Sequence, residues 1–156
     1  MKLVIIQVGK TDRGFLSDGL TRYYSRIKKM IGLEVITIGT GRVASMPAKS
    51  VLKDEGEKIT ERLKPGDYVI ALDEKGEQMS SRELASFMRE KMNRAPGRIV
   101  FIIGGAWGLD AELKRRSDKI ISLSPMTFPH QLVRLLFSEQ LYRAMTIIKG
   151  IPYHHD

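Results

Sequence analysis

Three short stretches of this chain have the makings of a ligand site, and each follows an apolar run. They are LDEKG (Leu72–Gly76), GGAWG (Gly104–Gly108) and LSPMTF (Leu123–Phe128). Paired glycines at a strand end let a ligand approach the backbone closely, and they equally suit a tight strand-to-helix turn. GGAWG is not the G-x-G-x-x-G dinucleotide fingerprint, and the chain has no phosphate-binding loop with its lysine. That argues against nicotinamide and nucleoside-triphosphate chemistry. In LSPMTF, Pro125 holds Ser124 extended, and Pro129 opens a helix where its missing N–H costs nothing. A loop stiffened at both ends, with free amides and apolar side chains, suits an adenine ring. The competing reading has Met126 and Phe128 plug the core, and the loop alone leaves the two even.

Charged groups come next. His130, Arg134, Glu139 and Arg143 lie along a segment that is otherwise very apolar (Leu132, Val133, Leu135, Leu136, Phe137, Leu141). Glu139 and Arg143 are spaced for an i,i+4 pair. A helix apolar over most of its circumference is buried, against the core or a second subunit. Buried charges need partners or a purpose. Trp107 offers a surface for stacking a base, or simply packs beside its turn. The tail PYHHD (Pro152–Asp156) holds two of the three histidines, and no carboxylate–histidine cluster has metal-ligand spacing. No metal site is expected. Cysteine is absent, which excludes disulfides, thiolate ligands and a cysteine nucleophile.

Regular elements have to position these groups. Lys2–Val8 is a β-branched run suited to a central strand, and Thr11 with Asp12 offers a helix cap. Leu16, Leu20, Tyr23, Tyr24, Ile27 and Ile31 recur at helical spacing over Phe15–Ile31, and Gly32 stops that helix. Leu33–Ile38 is a second strand, and residues 39–49 form the link expected to be most mobile. A helix after Pro47, with Leu52, Ile59 and Leu63 on one side, ends at KPGD (Lys64–Asp67). Tyr68–Leu72 is a third strand and DEKGEQ a turn. Ser80 and Glu83 match a capping box. The helix that follows buries Leu84, Ala85, Phe87, Met88 and Met92 and runs to Asn93. APGR (Ala95–Arg98) breaks the chain, then come a strand at Arg98–Ile103, a short helix at Asp110–Arg116, a strand at Lys119–Leu123 and a long helix at Pro129–Lys149. Strands apolar on both faces, alternating with helices, spell one α/β domain with a mainly parallel sheet flanked by helices. Ligands bind beyond the carboxyl ends of such strands, where the three loops leave.

Hydrophobic residues make up 42% and charged residues 28% of the 156, enough for one domain with a real core. No apolar run reaches the ~18 residues of a membrane span, and MKLVIIQVGK reads as a first strand rather than a leader. The formal charge is +8 and the pI about 9.8. Basic clusters at Arg22–Lys29 and Leu113–Lys119 favour a polyanionic partner, RNA or DNA, over a mere solubility surface.

Taken together, VIALDEKGEQMSS (Val69–Ser81), FIIGGAWGL (Phe101–Leu109), SLSPMTFPHQLVRLLFSEQLYRAMTIIKGIPYHHD (Ser122–Asp156) and the N-terminal KLVIIQVGK resemble the RlmH family. These are SPOUT-class methyltransferases of 23S ribosomal RNA, and the resemblance covers nearly the whole chain. It implies a single SPOUT domain over residues 1–156, with a C-terminal trefoil knot and the cofactor site mainly within residues 69–156. It also implies a cytoplasmic homodimer that holds S-adenosylmethionine in the knot and needs no metal. The reaction implied is methylation of a pseudouridine at N3, in the helix 69 loop of assembled ribosomes. Cofactor contacts fall on Leu72, Gly104, Leu123, Ser124, Pro125, Met126, Thr127 and Phe128, with Gly105 adjacent. Tyr153 and His154 match the family's closing PYH and are expected to assist catalysis. Arg134 or Arg143 would then hold the RNA or a developing anion. Rival expectations are a noncatalytic RNA-binding or ribosome-assembly factor, and a SPOUT enzyme with another RNA target.

Overall fold

The computed structural model describes residues 1–40, 45–94 and 97–156. The chain runs β1 (Lys2–Val8), α1 (Phe15–Lys28), β2 (Gly32–Ile38), α2 (Ala48–Thr60), β3 (Tyr68–Gln78), α3 (Ser81–Arg94), β4 (Ile99–Ile103), α4 (Ala111–Arg116), β5 (Lys119–Ser122) and α5 (His130–Lys149). The strands form one parallel sheet in the order β2-β1-β4-β3-β5. Alternation along each strand feeds two cores. Leu3, Ile5, Ile70, Leu72, Phe101 and Ile103 face α1, α3 and α5, while Val4, Ile6, Ala71, Val100 and Ile102 meet Ile59 of α2 and Leu113 of α4. Phe101 packs on Phe137 of α5 with ring centroids 4.7 Å apart.

The elements match the expected ones closely, with three instructive departures. Thr11 and Asp12 do not cap α1, whose start is Gly14 with φ 130° and no side-chain cap. The Thr11 hydroxyl instead accepts from Arg134, and the Asp12 N–H donates to Gln131, so both serve α5. In α2 the buried stripe is Val51, Glu55 and Ile59; Leu52 is only half-buried, and Leu63 lies past the helix end. DEKGEQ is not a turn: β3 continues to Gln78 around a bulge, because Leu72 and Glu77 both sit opposite Ile121. Residues 73–76 are thrown outward between them. A Cβ on Gly76 would fall 2.6 Å from the Ile121 carbonyl carbon, so only glycine lets the strand rejoin β5. The capping box at α3 forms as expected, with Ser80 N–H donating to Glu83 (2.7 Å) and Glu83 N–H to the Ser80 hydroxyl (3.2 Å). The expected mobile link and the APGR break fall in part outside the described residues, at 41–44 and 95–96.

Candidate functional site

The carboxyl ends of β3, β4 and β5 lie side by side and open into a cleft of about 460 Å³. Leu72, Gly104, Gly105, Leu123, Ser124, Met126, Thr127 and Phe128 line it; Pro125 does not. Each wall has a local cause. At β4, a Cβ on Gly104 would run into the Gly108 carbonyl, and Gly108 turns the chain with φ +79° while its N–H donates to Gly105 (3.1 Å). At β5, the loop holds itself: Ser122 donates to the Ser124 carbonyl (2.9 Å), and the Ser124 hydroxyl accepts from Met126 N–H (3.1 Å). Met126 is 71% exposed and Phe128 half-buried, so neither plugs the core. Trp107 is 59% exposed at the rim.

The bulge within β3 supplies two carboxylates beyond Leu72, the one residue of LDEKG expected in the site. Asp73 accepts from Lys114 of α4 at 3.3 Å, and Glu74 accepts from the Thr127 hydroxyl at 2.9 Å. The bulge is thereby strapped to α4 and to the loop after β5. His130, the first residue of α5, also lines the cleft, and burial with Arg134 nearby pushes its pKa down. The charged side chains of LDEKG, already singled out as a strand-end stretch suited to a ligand, are the signal for these carboxylates.

Arg134 is fully buried and does not line the cleft. It donates to the Val8 carbonyl and to Thr11 (2.9 Å), and burial holds its pKa below the usual arginine value. The expectation of an RNA-facing Arg134 therefore gives way to an arginine that ties α5 to the end of β1.

Arg143, Tyr153 and His154 do come together, apart from the cleft lining. Glu139 accepts from Arg143 Nε (3.1 Å), Arg143 Nη2 (2.6 Å) and the Tyr153 hydroxyl (3.0 Å). Arg143 Nη1 lies 3.2 Å from His154 Nδ1, and its guanidinium sits 4.8 Å from the Tyr153 ring centroid. Burial and Glu139 push the Tyr153 hydroxyl up to about 12, which makes it a donor at neutral pH rather than a base. Beside this cluster is a largely apolar groove of about 650 Å³ between α1, α3 and α5, lined by Tyr23, Leu84, Leu135, Leu136 and Glu139. Leu123, Ser124 and Phe128 line both groove and cleft, so the loop is a shared wall.

Parallel α/β sheets hold ligands at the carboxyl edge, where this cleft of backbone turns and an apolar loop lies, and residues 1–154 match the family described as predicted SPOUT methyltransferase. The chain is similar to ribosomal RNA large subunit methyltransferase H of Parabacteroides distasonis, 40% identical over 157 residues and covering all of both chains. The protein of that name from Desulfovibrio desulfuricans is 42% identical over 150 residues, 96% of this chain and 95% of the relative. The chain belongs to the ribosomal RNA large subunit methyltransferase H family of SPOUT methyltransferases. Among solved structures, a probable methyltransferase from Bordetella pertussis Tohama I shares the fold at TM-score 0.57 and 16% identity, over 92% of this chain and 95% of that one. A probable methylase family protein from Haemophilus influenzae does so at TM-score 0.52 and 14% identity, over 99% of this chain and 70% of that one.

Proposed function

We propose that this methyltransferase modifies N3 of a pseudouridine in the helix 69 loop of 23S ribosomal RNA, in assembled ribosomes, acting in the cytoplasm as a homodimer with a C-terminal trefoil knot. The observation that carries the reading is the cleft formed where the three expected loops converge. Its cofactor is S-adenosylmethionine, and the residues present fit that molecule. A cleft of about 460 Å³ is in the range of small-ligand sites. Leu123, Met126 and Phe128 offer apolar contact for the adenine, Gly104 and Gly105 line the cleft with backbone groups, and Asp73 and Glu74 give it carboxylates that suit a cation. When bound, the cofactor supplies an electrophilic methyl on sulfur.

The chain's own task is alignment and removal of a proton. Loops 72–76, 104–108 and 123–128 hold the donor against one strand edge, which turns a bimolecular encounter into a positioned one. Uracil-type N3 carries a proton and is a poor nucleophile until it leaves, so a base or a nearby cation is required. His154 is the base in this reading, Tyr153 and Glu139 fix its surroundings, and Arg143 holds the RNA or the developing anion. Nitrogen methylation requires no cysteine adduct, in keeping with a chain that has no cysteine.

The tail cluster lies outside the cleft lining, and the apolar groove beside it exposes Leu136 at 37%. A second copy seated on the groove covers that surface and brings its tail toward this protomer's cleft. Knot threading rests on the family likeness.

The decisive experiment maps methylated positions in ribosomal RNA from a strain lacking this protein, with and without the gene restored. Loss and recovery at the helix 69 pseudouridine is the expected result; a mark elsewhere replaces the target. In parallel, Thr127→Arg fills the cleft and abolishes S-adenosylmethionine binding by calorimetry while the protein stays folded. Unchanged binding moves the cofactor elsewhere, and a wild type that binds none at all points to a noncatalytic RNA-binding factor.

A further inference from the structure

His154 is held at both ring nitrogens. Nδ1 lies 3.2 Å from Arg143 Nη1, and Nε2 lies 2.7 Å from Asp156 Oδ1. A guanidinium only donates, so Nδ1 must accept and Nε2 must carry the proton that it donates to Asp156. A protonated Nδ1 would set two donors face to face. Asp156 is itself gripped by Arg82 at the start of α3, with Nε 2.9 and 2.8 Å from the two oxygens and Nη2 2.6 Å from Oδ2. The charged groups around the imidazole are therefore Arg143 and Glu139 from α5, Asp156 from the tail and Arg82 from α3, with Tyr153 alongside.

We infer that Asp156, gripped by Arg82, is a positioning residue that fixes His154 as the Nε2–H tautomer and so presents Nδ1 as the nitrogen that takes the substrate proton. This rests on the reading of His154 as the base. Arg143 also bonds Glu139 through Nε and Nη2, so uncovering Nδ1 turns the planar guanidinium as a unit and exchanges its Nη1 contact for an RNA oxygen. The N3–H bond then breaks and its proton passes to Nδ1. The electron pair left on nitrogen forms the bond to the methyl carbon, and the pair of the carbon–sulfur bond stays on sulfur. The imidazolium produced donates from both nitrogens, with Asp156 placed to receive one bond, and returns its proton to water. An orienting carboxylate on a histidine is the arrangement that serine-protease triads use for tautomer control. The strong Arg82 contacts hold Asp156 ionised, its pKa drawn down to about 2, so it accepts throughout the working range.

The test uses the full-length enzyme with 15N-labelled histidine. Wild type is expected to show His154 as a single Nε2–H tautomer, and Asp156→Ala a mixture. In methyl transfer to ribosomes, Asp156→Ala lowers kcat by about tenfold or more, short of the ~10⁴-fold known for a buried triad carboxylate. KM for ribosomes and affinity for S-adenosylmethionine stay put, and Asp156→Glu restores most of the rate. His154→Ala separates the two claims. If it transfers methyl at the wild-type rate, His154 is not the base and the inference falls with that reading. If His154→Ala is inactive while Asp156→Ala keeps wild-type kcat and a single tautomer, the inference alone is overturned.

Discussion

Two arginine–aspartate pairs in this molecule have nearly the same geometry and opposite settings. Arg98 grips Asp67 with Nε–Oδ1 2.9 Å and Nη2–Oδ2 2.6 Å; Arg82 grips Asp156 with Nε–Oδ1 2.9 Å and Nη2–Oδ2 2.6 Å. The first pair is 14% and 3% exposed, the second 61% and 65%. Asp67 also accepts from Lys64 N–H (2.7 Å), and Arg98 donates to the Arg62 carbonyl (3.0 Å), so the buried pair closes the entry to β3 and β4 with its remaining groups satisfied. The exposed pair closes nothing; it stands between α3 and the tail. Contact geometry alone therefore does not say what a charge pair is for. Burial makes one pair a fastening of the fold, and exposure leaves the other free to aim a side chain.

The largest expected effect comes from breaking the buried member. Arg98→Ala leaves the largely covered Asp67 carboxylate without its cation, held only by the Lys64 N–H, and such losses run to about 3 kcal/mol. Urea unfolding should show the midpoint fall accordingly, while methyl transfer well below that midpoint stays near wild type, because neither residue lines the cleft or touches the tail. A loss under about 1 kcal/mol would place the pair with ordinary surface ion pairs.

Next in size is Gly104→Ala, which probes the cleft, where backbone rather than charge does the positioning. Its new methyl meets the Gly108 carbonyl, so the turn has to move. Displacements of this kind cost about 1–3 kcal/mol, or roughly fivefold to 150-fold if the cost falls on cofactor affinity measured by calorimetry. Circular dichroism should stay native, since the strand itself is untouched. Full affinity in this variant would mean the Gly104 turn is not a wall of the cofactor site.

The cleft and the tail also differ in how far the sequence reveals them. Five apolar strands and the proline-bounded loop are legible because periodicity and backbone restriction act locally: Gly104 and the loop Leu123–Phe128, Pro125 apart, line the cleft at the strand ends. The bulge at residues 73–76 is not legible, since it depends on β5, some 40 residues away, taking the strand back at Glu77. For the same reason Thr11 looks like a cap until Arg134 arrives from α5 to claim it. The tail network joins residue 82 to residue 156 through side chains alone. No spacing rule connects positions so far apart, so PYHHD gives the residues and not their partners.

Acidification probes the buried pair more gently. Burial alone would raise the Asp67 pKa, but the Arg98 guanidinium and the Lys64 N–H outweigh it and hold the carboxyl below its usual range. A group whose folded pKa is depressed adds stability that is complete above the unfolded value, about 4, and is lost as pH falls through the folded one. The urea midpoint should therefore decline below about pH 4, and part of that decline should vanish in Arg98→Ala. An identical acid limb in both proteins would assign it to other carboxylates.

The smallest expected change in stability is the sharpest test of the contrast. Arg82→Ala removes contacts as short as those of Arg98, yet both partners are solvated before and after, so water replaces what is lost. Urea unfolding should give the wild-type midpoint. What should change is the tail: Asp156, no longer held, lets the His154 ring sample both tautomers in 15N spectra, and methyl transfer slows without weaker cofactor binding. Unfolding as severe as that of Arg98→Ala would show that exposure does not set the roles of the two pairs. A stable protein with an unaltered histidine and full activity would show that the outer pair aims nothing. Only the combination of unchanged stability and altered histidine chemistry separates a fastening from an aiming device built with the same two side chains.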